Sequence, residues 1–476
     1  MKLKAPDLEI LPDEPFKNDL LNRKTCVDQL TELLKSSDEP LVLCINAEFG
    51  NGKTTLIKMW REQLKQERFK TLYFNAWEND HSDDALVSLI GELSVGIGEL
   101  KLKGRKGRTA KAYLEKAKKF GAGLIKKGVP LGIRLATGGV IDISGTDLSE
   151  TGSKLSELAE EVAKEQIDKY EESKNTIQGF RGELSKFADE VTAPDEGQER
   201  RPIVIMVDEL DRCRPPYAVQ LLEKIKHLFN VRNIVFVIAI DKEQLGNSIK
   251  SMYGQGMDVN GYLRRFIDFD FNLPTPEASA FCHAQFTRFG LKELFEKRTG
   301  DLARNDQKNL TEAFTAFFRG FGLTLREQEH CFTLLSLALR TTKENNQIFP
   351  FLLSILIVMK IKNHQLYLDF VAGRVSHEEV LKYIRTTESG KKFLQDNYGL
   401  ALEIQLAVCQ SQNRSVDELI PIYGATATNN DIEQPERDRA ARIVELMKGY
   451  WHGLHSAQGS LAYLVQKIDL VSRFET

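Results

Sequence analysis

The segment Ala47-Glu-Phe-Gly-Asn-Gly-Lys-Thr54 constrains this chain more than any other feature. Before it stands Leu41-Val-Leu-Cys-Ile-Asn46, apolar enough to be a strand buried on both faces. After it comes a helical stretch from about Thr54 to Gln66. A buried strand that turns into a helix through Gly-Lys-Thr is the frame of a phosphate-binding P-loop, usually Gly-x-x-x-x-Gly-Lys-[Ser/Thr]. Ala47 stands where the first glycine is usual, a position that needs smallness more than any functional group. Gly50 and Gly52 permit backbone conformations and a close approach that a Cβ would block. Successive N–H groups then face one concavity that suits phosphate oxygens, and the helix N-terminus adds positive partial charge. Lys53 is expected to reach the β- and γ-phosphates of a nucleotide. The Thr54 hydroxyl is expected to bind Mg²⁺, a hard cation that prefers oxygen. A glycine turn that binds nothing is the plain alternative.

A second buried strand, Ile203-Val-Ile-Met-Val207, runs into Asp208-Glu209. In a P-loop fold this strand end is expected beside the phosphate loop. Asp208 would then hold Mg²⁺ through its water shell, and Glu209 would orient or deprotonate an attacking water. Phosphoryl transfer needs positioning and charge neutralisation more than covalent chemistry. Lys53, Thr54, Asp208 and Glu209 are a sufficient set for it. Asp241, at the end of Ile234-Val-Phe-Val-Ile-Ala-Ile240, is a candidate sensor of the γ-phosphate or the N-cap of the next helix. Arg264 and Arg265 are candidates for an arginine finger or for surface ion pairs.

Strand-like runs at 41–46, 71–77, 203–207, 233–240 and 266–271 alternate with helical stretches, which implies βαβ units and a mainly parallel sheet. The expected fold is α/β, a P-loop core in two halves (1–100 and 201–275) around a basic and helical insert (101–200). A helical domain (276–476) follows. Within the insert, apolar residues from Leu155 to Phe187 recur at helical spacing and predict one long amphipathic helix. Phe349 to Ile361 reads as a buried core helix.

Several motifs together identify a resemblance. The loop Phe49-Gly-Asn-Gly-Lys-Thr-Thr55, the strand end Phe74-Asn-Ala-Trp77 and the acidic motif Val207-Asp-Glu-Leu-Asp-Arg-Cys213 occur in order. So do the helix Ala218–Lys226, the strand into Asp241 and Gly261-Tyr-Leu-Arg-Arg-Phe-Ile267 closing at Leu273-Pro274, after the lead-in Asp19-Leu-Leu-Asn-Arg23. Over roughly 14–275 the chain resembles the KAP family of P-loop NTPases. The resemblance implies an additional-strand P-loop core. Ala47, Phe49, Gly50, Asn51, Gly52, Lys53, Thr54, Thr55 and Asp241 would face the nucleotide, Thr54 and Asp208 the metal, with Lys53, Asp208 and Glu209 catalytic. Many members of that family carry transmembrane helices between the Asn-Ala-Trp strand and the acidic strand. This sequence has a charged segment there instead. Soluble bacterial members are associated with defence against phage and plasmids.

From Lys101 to Arg134 stand twelve basic residues against Glu115 alone, a net +11 in a chain whose total is −3. Such a block suits nucleic-acid phosphates. With Leu124, Val129, Leu131, Ile133 and Leu135 it also suits an anionic membrane surface, and it equally suits acidic protein surface. Tyr113 and Phe120 are its only aromatics, too few for a base-stacking platform. The six cysteines are scattered and form no Cys-x-x-Cys pair, so neither a zinc framework nor a secreted disulfide scaffold is indicated. The N-terminus lacks the apolar stretch of a signal peptide, and no apolar run is long enough to span a bilayer. A cytoplasmic protein is expected. His452 and His455 are too isolated to be read as metal ligands.

The leading expectation is ATP binding and hydrolysis that drives a switch or motor, with homo-oligomers or partner proteins. ATP is favoured because the guanine-reading Asn-Lys-x-Asp motif is absent. The alternatives are a nucleotide-dependent scaffold with negligible turnover and a small-molecule kinase, for which no arginine-rich lid is evident.

Overall fold

The computed structural model of the chain describes residues 8–126, 152–298, 305–410, 416–449 and 460–469, apart from positions 38, 83, 101, 103, 276 and 345. The chain forms two compact units, one of Glu9–Asp19 with Arg23–Pro274 and one chiefly of residues from Thr275 onward, together with Leu20–Asn22.

The first unit is built on five parallel strands: β1 (Leu41–Asn46), β2 (Lys70–Asn75), β3 (Ile203–Asp208), β4 (Ile234–Ile240) and β5 (Phe269–Asn272). Their order across the sheet is β2-β3-β4-β1-β5. Strand β4 pairs with both β1 and β3. The acid-ending strand is therefore one strand removed from the strand that feeds the phosphate loop, and not its immediate neighbour. This intervening strand is the additional strand that the resemblance implies.

Side chains alternate across a strand, and both faces here are apolar. On one face Leu43, Ile45, Val204, Met206, Val235 and Val237 pack against helices α1 (Lys24–Lys35) and α2 (Lys53–Gln66), with Trp60 fully buried between them. On the other, Cys44, Phe74, Ile205, Val207, Phe236 and Ile238 meet α3 (Ala85–Glu99), α6 (Pro215–Leu228) and α7 (Lys242–Tyr253).

The insert joins this second face. Helix α4 (Gly104–Lys126) carries Ala110, Leu114, Ala117 and Leu124 on one stripe, and α5 (Gly152–Thr192) carries Phe180, Leu184 and Phe187. All are buried in the same core as the sheet. The insert thus forms no separate hydrophobic core over its described residues. The glycines of α4 obscure it in the sequence. The final strand is also shorter than its alternation suggests: Phe266 and Ile267, just after α8 (Val259–Leu263), are buried in the core, and only Phe269–Asn272 pairs with β1.

Among its described residues the second unit is all helical. The helix Pro350–Lys362 is buried from Pro350 to Met359 and forms the centre of its core. Edge-to-face rings of Phe286 and Phe332 pack beside it. No helix among the described residues is long and apolar enough to cross a membrane.

Candidate nucleotide-binding and catalytic site

The parallel strands end at one edge, where open α/β sheets bind ligands. β1 leads there into the loop Ala47–Gly52. Gly50 (φ 87°) and Gly52 (φ 78°) are left-handed, the conformation that needs no Cβ. Ala47 takes its N–H to the Ile240 carbonyl at 3.2 Å and packs against the α1–α2 core. Its methyl group is therefore accommodated. Asn51 presents its carbonyl to Arg23 Nη2, which donates at 2.8 Å. Phe49 N–H donates to Asp241 Oδ2 at 3.0 Å. Thr54 and Thr55, both half-buried, open α2.

Lys53 is buried. Its Nζ donates to the carbonyls of Ala47 at 2.7 Å and Glu48 at 3.3 Å and lies 3.7 Å from Asp211. Asp211 in turn accepts from the Asp241 N–H at 2.8 Å. Burial pushes the Asp211 carboxyl above its ordinary range, and the Lys53 ammonium opposes that.

Asp208 is almost wholly buried at the end of β3. Tyr73 Oη donates to its Oδ2 at 3.0 Å and the Glu209 N–H to its Oδ1 at 2.9 Å. Burial raises its pKa, the negative charge of Glu209 adds to this, and the Thr54 and Tyr73 side chains oppose it. Glu209 follows with φ 59° and ψ 25°, left-handed backbone that is costly for a glutamate. Its carboxylate lies 3.2 Å from Arg212 Nη1 and accepts from Asn75 Nδ2 at 3.4 Å. The structure thus brings Lys53, Thr54, Asp208 and Glu209 to one edge. Asp241 caps α7, accepting from the Glu243 and Gln244 N–H groups, and meets the phosphate loop through the Phe49 backbone. Arg264 and Arg265 are exposed just after α8.

The residues suit Mg²⁺ in kind: the Thr54 hydroxyl and the Asp208 carboxylate are both oxygen donors, and Thr54 is near enough to act on that carboxylate. Among the described residues no group of three or more His, Cys, Asp or Glu side chains could hold a metal ion by itself. A divalent ion here would therefore take further ligands from phosphate oxygens and water.

Sequence reasoning left Arg23, Tyr73, Asp211 and Arg212 without roles. Arg23 is buried, and its Nε and Nη1 lack partners. Burial lowers its pKa to about 10. The only signal for it in the sequence is its place in the lead-in to α1.

Of the basic block, Arg105, Arg108, Lys111, Lys116 and Lys119 are exposed along α4, opposite its buried stripe. Lys106 donates to the Ala193 carbonyl at 2.6 Å, and Lys118 pairs with Glu115 at 2.7 Å. Lys101, Lys103, Lys127, Val129, Leu131, Ile133, Arg134, Leu135, His452 and His455 lie outside the described residues.

Sheet order, phosphate loop and acidic strand end define an additional-strand P-loop NTPase. The chain matches the KAP family P-loop domain over residues 23–353 and belongs to that family. An uncharacterized protein of Methanocaldococcus jannaschii, MJ0182, is 28% identical over 183 residues, which span 36% of this chain and 89% of that protein. Two structures of the Aeropyrum pernix ORC2 protein align as well. The one with ADPNP-ADP complexes covers 99% of this chain and 96% of its own at 10% identity, with a TM-score of 0.33. The ADP form covers 96% of each at 12% identity, with a TM-score of 0.30.

Proposed function

We propose that this chain binds ATP with Mg²⁺ and hydrolyses it, and that the nucleotide state works a conformational switch or motor. The carrying observation is the convergence at one strand edge of Asp208, on which the Thr54 side chain and the Glu209 charge both act, with the Lys53 ammonium 3.7 Å from Asp211 on the turn that follows it. Thr54 and Asp208 would hold Mg²⁺, which would neutralise charge on the phosphates. The N–H groups of Gly50 to Thr54 cradle phosphate oxygens. Lys53 exchanges its loop carbonyls for the β- and γ-phosphates, and Glu209 orients the attacking water. Asp241 fixes the loop through Phe49 and is positioned to respond when the loop tightens on a γ-phosphate. Ordering of these loops by ATP and their release after hydrolysis would constitute the switch.

The exposed cations of α4 support a further assignment, non-specific contact with nucleic-acid phosphates. Its described apolar stripe faces the core, which favours a polyanion over a membrane surface. The free thiols of the six cysteines support a cytoplasmic setting, and the family resemblance supports a role in defence against phage or plasmids. That role is tested by plaque formation on cells carrying the wild type or Lys53→Ala.

The biochemical test is binding of a fluorescent ATP analogue together with phosphate release, with and without Mg²⁺ and DNA. Binding with Mg²⁺-dependent release supports the reading. Binding without release under any of these conditions replaces hydrolysis by a nucleotide-dependent scaffold.

A further inference from the structure

The side chain of Arg212 lies in the middle of the catalytic edge, on the 3₁₀ turn Leu210–Arg212 that follows β3. Its guanidinium carbon is 4.1 Å from the centre of the Phe49 ring and 5.5 Å from that of Trp77. Its Nη1 is 3.2 Å from Glu209 Oε1, and its Nε is buried without a partner. The Phe49 ring also carries Lys53 Nζ at 5.7 Å. One ring of the phosphate loop is therefore flanked by the phosphate-seeking ammonium and by this guanidinium.

Two separate segments converge on Arg212, and each is fixed. Phe49 is held by its N–H bond to Asp241. The turn that carries Trp77 begins with Ala76 N–H on the Asp208 carbonyl at 2.9 Å. It ends at the buried Asp80, which accepts from Arg214 N and Nε at 2.7 and 2.9 Å. Trp77 itself is 53% exposed, with the guanidinium of Arg212 beside its ring. Cation–π contact with aromatic rings holds an arginine in place while leaving its N–H fork free to change partners.

Glu209 paired to a guanidinium has one carboxylate oxygen committed. Asn75 Nδ2 stands at the other, 3.4 Å away. A γ-phosphate seated against Lys53 brings more negative charge to the same ring and is a better bidentate acceptor for the fork than a single carboxylate oxygen.

Given the ATPase reading above, we propose that Arg212 is a catalytic arginine supplied in cis. It rests on Glu209 and transfers to the γ-phosphate when ATP binds, which frees Glu209 for water and adds positive charge to the transferring group. Phe49 and Trp77 are the positioning residues of that transfer.

The test has two readouts on the full chain. In phosphate release, Arg212→Ala is expected to lower kcat by roughly 100-fold or more, with KM for ATP changed less than about threefold. Arg212→Lys, which keeps the charge and loses the planar fork, is expected to recover only part of it. Arg212→Ala that turns over within about threefold of wild type, or faster, overturns the proposal. The second readout needs no turnover. The fluorescence of wild type minus that of Trp77→Phe reports the Trp77 indole. It is expected to change with Mg²⁺ and a non-hydrolysable ATP analogue, not with ADP, and to lose that change in Arg212→Ala. A chain that hydrolyses nothing yet gives this signal fails the ATPase reading and keeps the Arg212 transfer. A Trp77 signal that is absent, or unaffected by Arg212→Ala, overturns the transfer whatever the turnover.

Discussion

The hydroxyl of Tyr73, on β2, donates at 3.0 Å to Oδ2 of Asp208 at the end of β3, and the side chain of Thr54, in the first turn of α2, acts on the same carboxylate and opposes the rise of its pKa. Thr54 and Asp208, oxygen donors from distant segments of the chain, thus come near one another where a nucleotide-bound Mg²⁺ would be held. Thr54→Ala is expected to raise the Mg²⁺ concentration for half-maximal turnover by about tenfold. Asp208→Asn is expected to abolish turnover without lowering thermal stability, because it removes a buried carboxylate that burial already disfavours. Turnover against Mg²⁺ concentration and a melting curve check both.

Glu209 adopts φ 59°, which glycine tolerates and glutamate does not prefer. Glu209→Gly is therefore expected to be inactive and more stable than wild type by about 1 kcal/mol. Urea unfolding of the two proteins measures the difference. A destabilised Glu209→Gly would show that the Arg212 and Asn75 bonds outweigh the backbone strain.

Arg105, Arg108, Lys111, Lys116 and Lys119 form an exposed stripe within the described part of the basic block. Arg108→Glu with Lys111→Glu and Lys119→Glu is expected to weaken DNA binding. It should also flatten the dependence of affinity on salt by roughly one unit of log slope for each phosphate that is no longer neutralised. ATP turnover without DNA should stay unchanged. Binding titrations at several salt concentrations report this.

Glu223, on α6, is buried, and its carboxyl is pushed up to about 7 by that burial, with Lys224 opposing. A carboxyl raised in the folded state binds its proton more tightly there than in the unfolded chain. The stability it contributes is present at low pH and is lost as pH rises from about 4.5 through about 7. Glu223→Gln is expected to keep on the order of 1 kcal/mol that wild type loses across this window. Unfolding midpoints at pH 5 to 8 provide the comparison.

The phosphate loop and the acidic strand end were legible because their signals are local. A buried strand, two glycines, a lysine and a threonine fall in one short segment, and continuous apolar runs mark strands covered on both faces. Helix α4 was hidden because its inward stripe is largely alanine and leucine among glycines and lysines, with little contrast to read. The start of β5 differs from its alternation because Phe266 and Ile267 are buried by packing after α8 and not by strand pairing. The partners of Arg23, Asp211 and Arg212 depend on which strand ends the fold brings together. No spacing within one segment encodes that Arg212 meets both Phe49 and Trp77.

The most direct measurement is phosphate release from ATP by wild type, Lys53→Ala and Glu209→Gln, paired with binding of a fluorescent ATP analogue. Turnover in the wild type is expected to be lost in both variants, by roughly 100-fold or more, while Glu209→Gln still binds nucleotide. Turnover that survives in Glu209→Gln, or nucleotide binding that is indifferent to Lys53→Ala, would contradict the account.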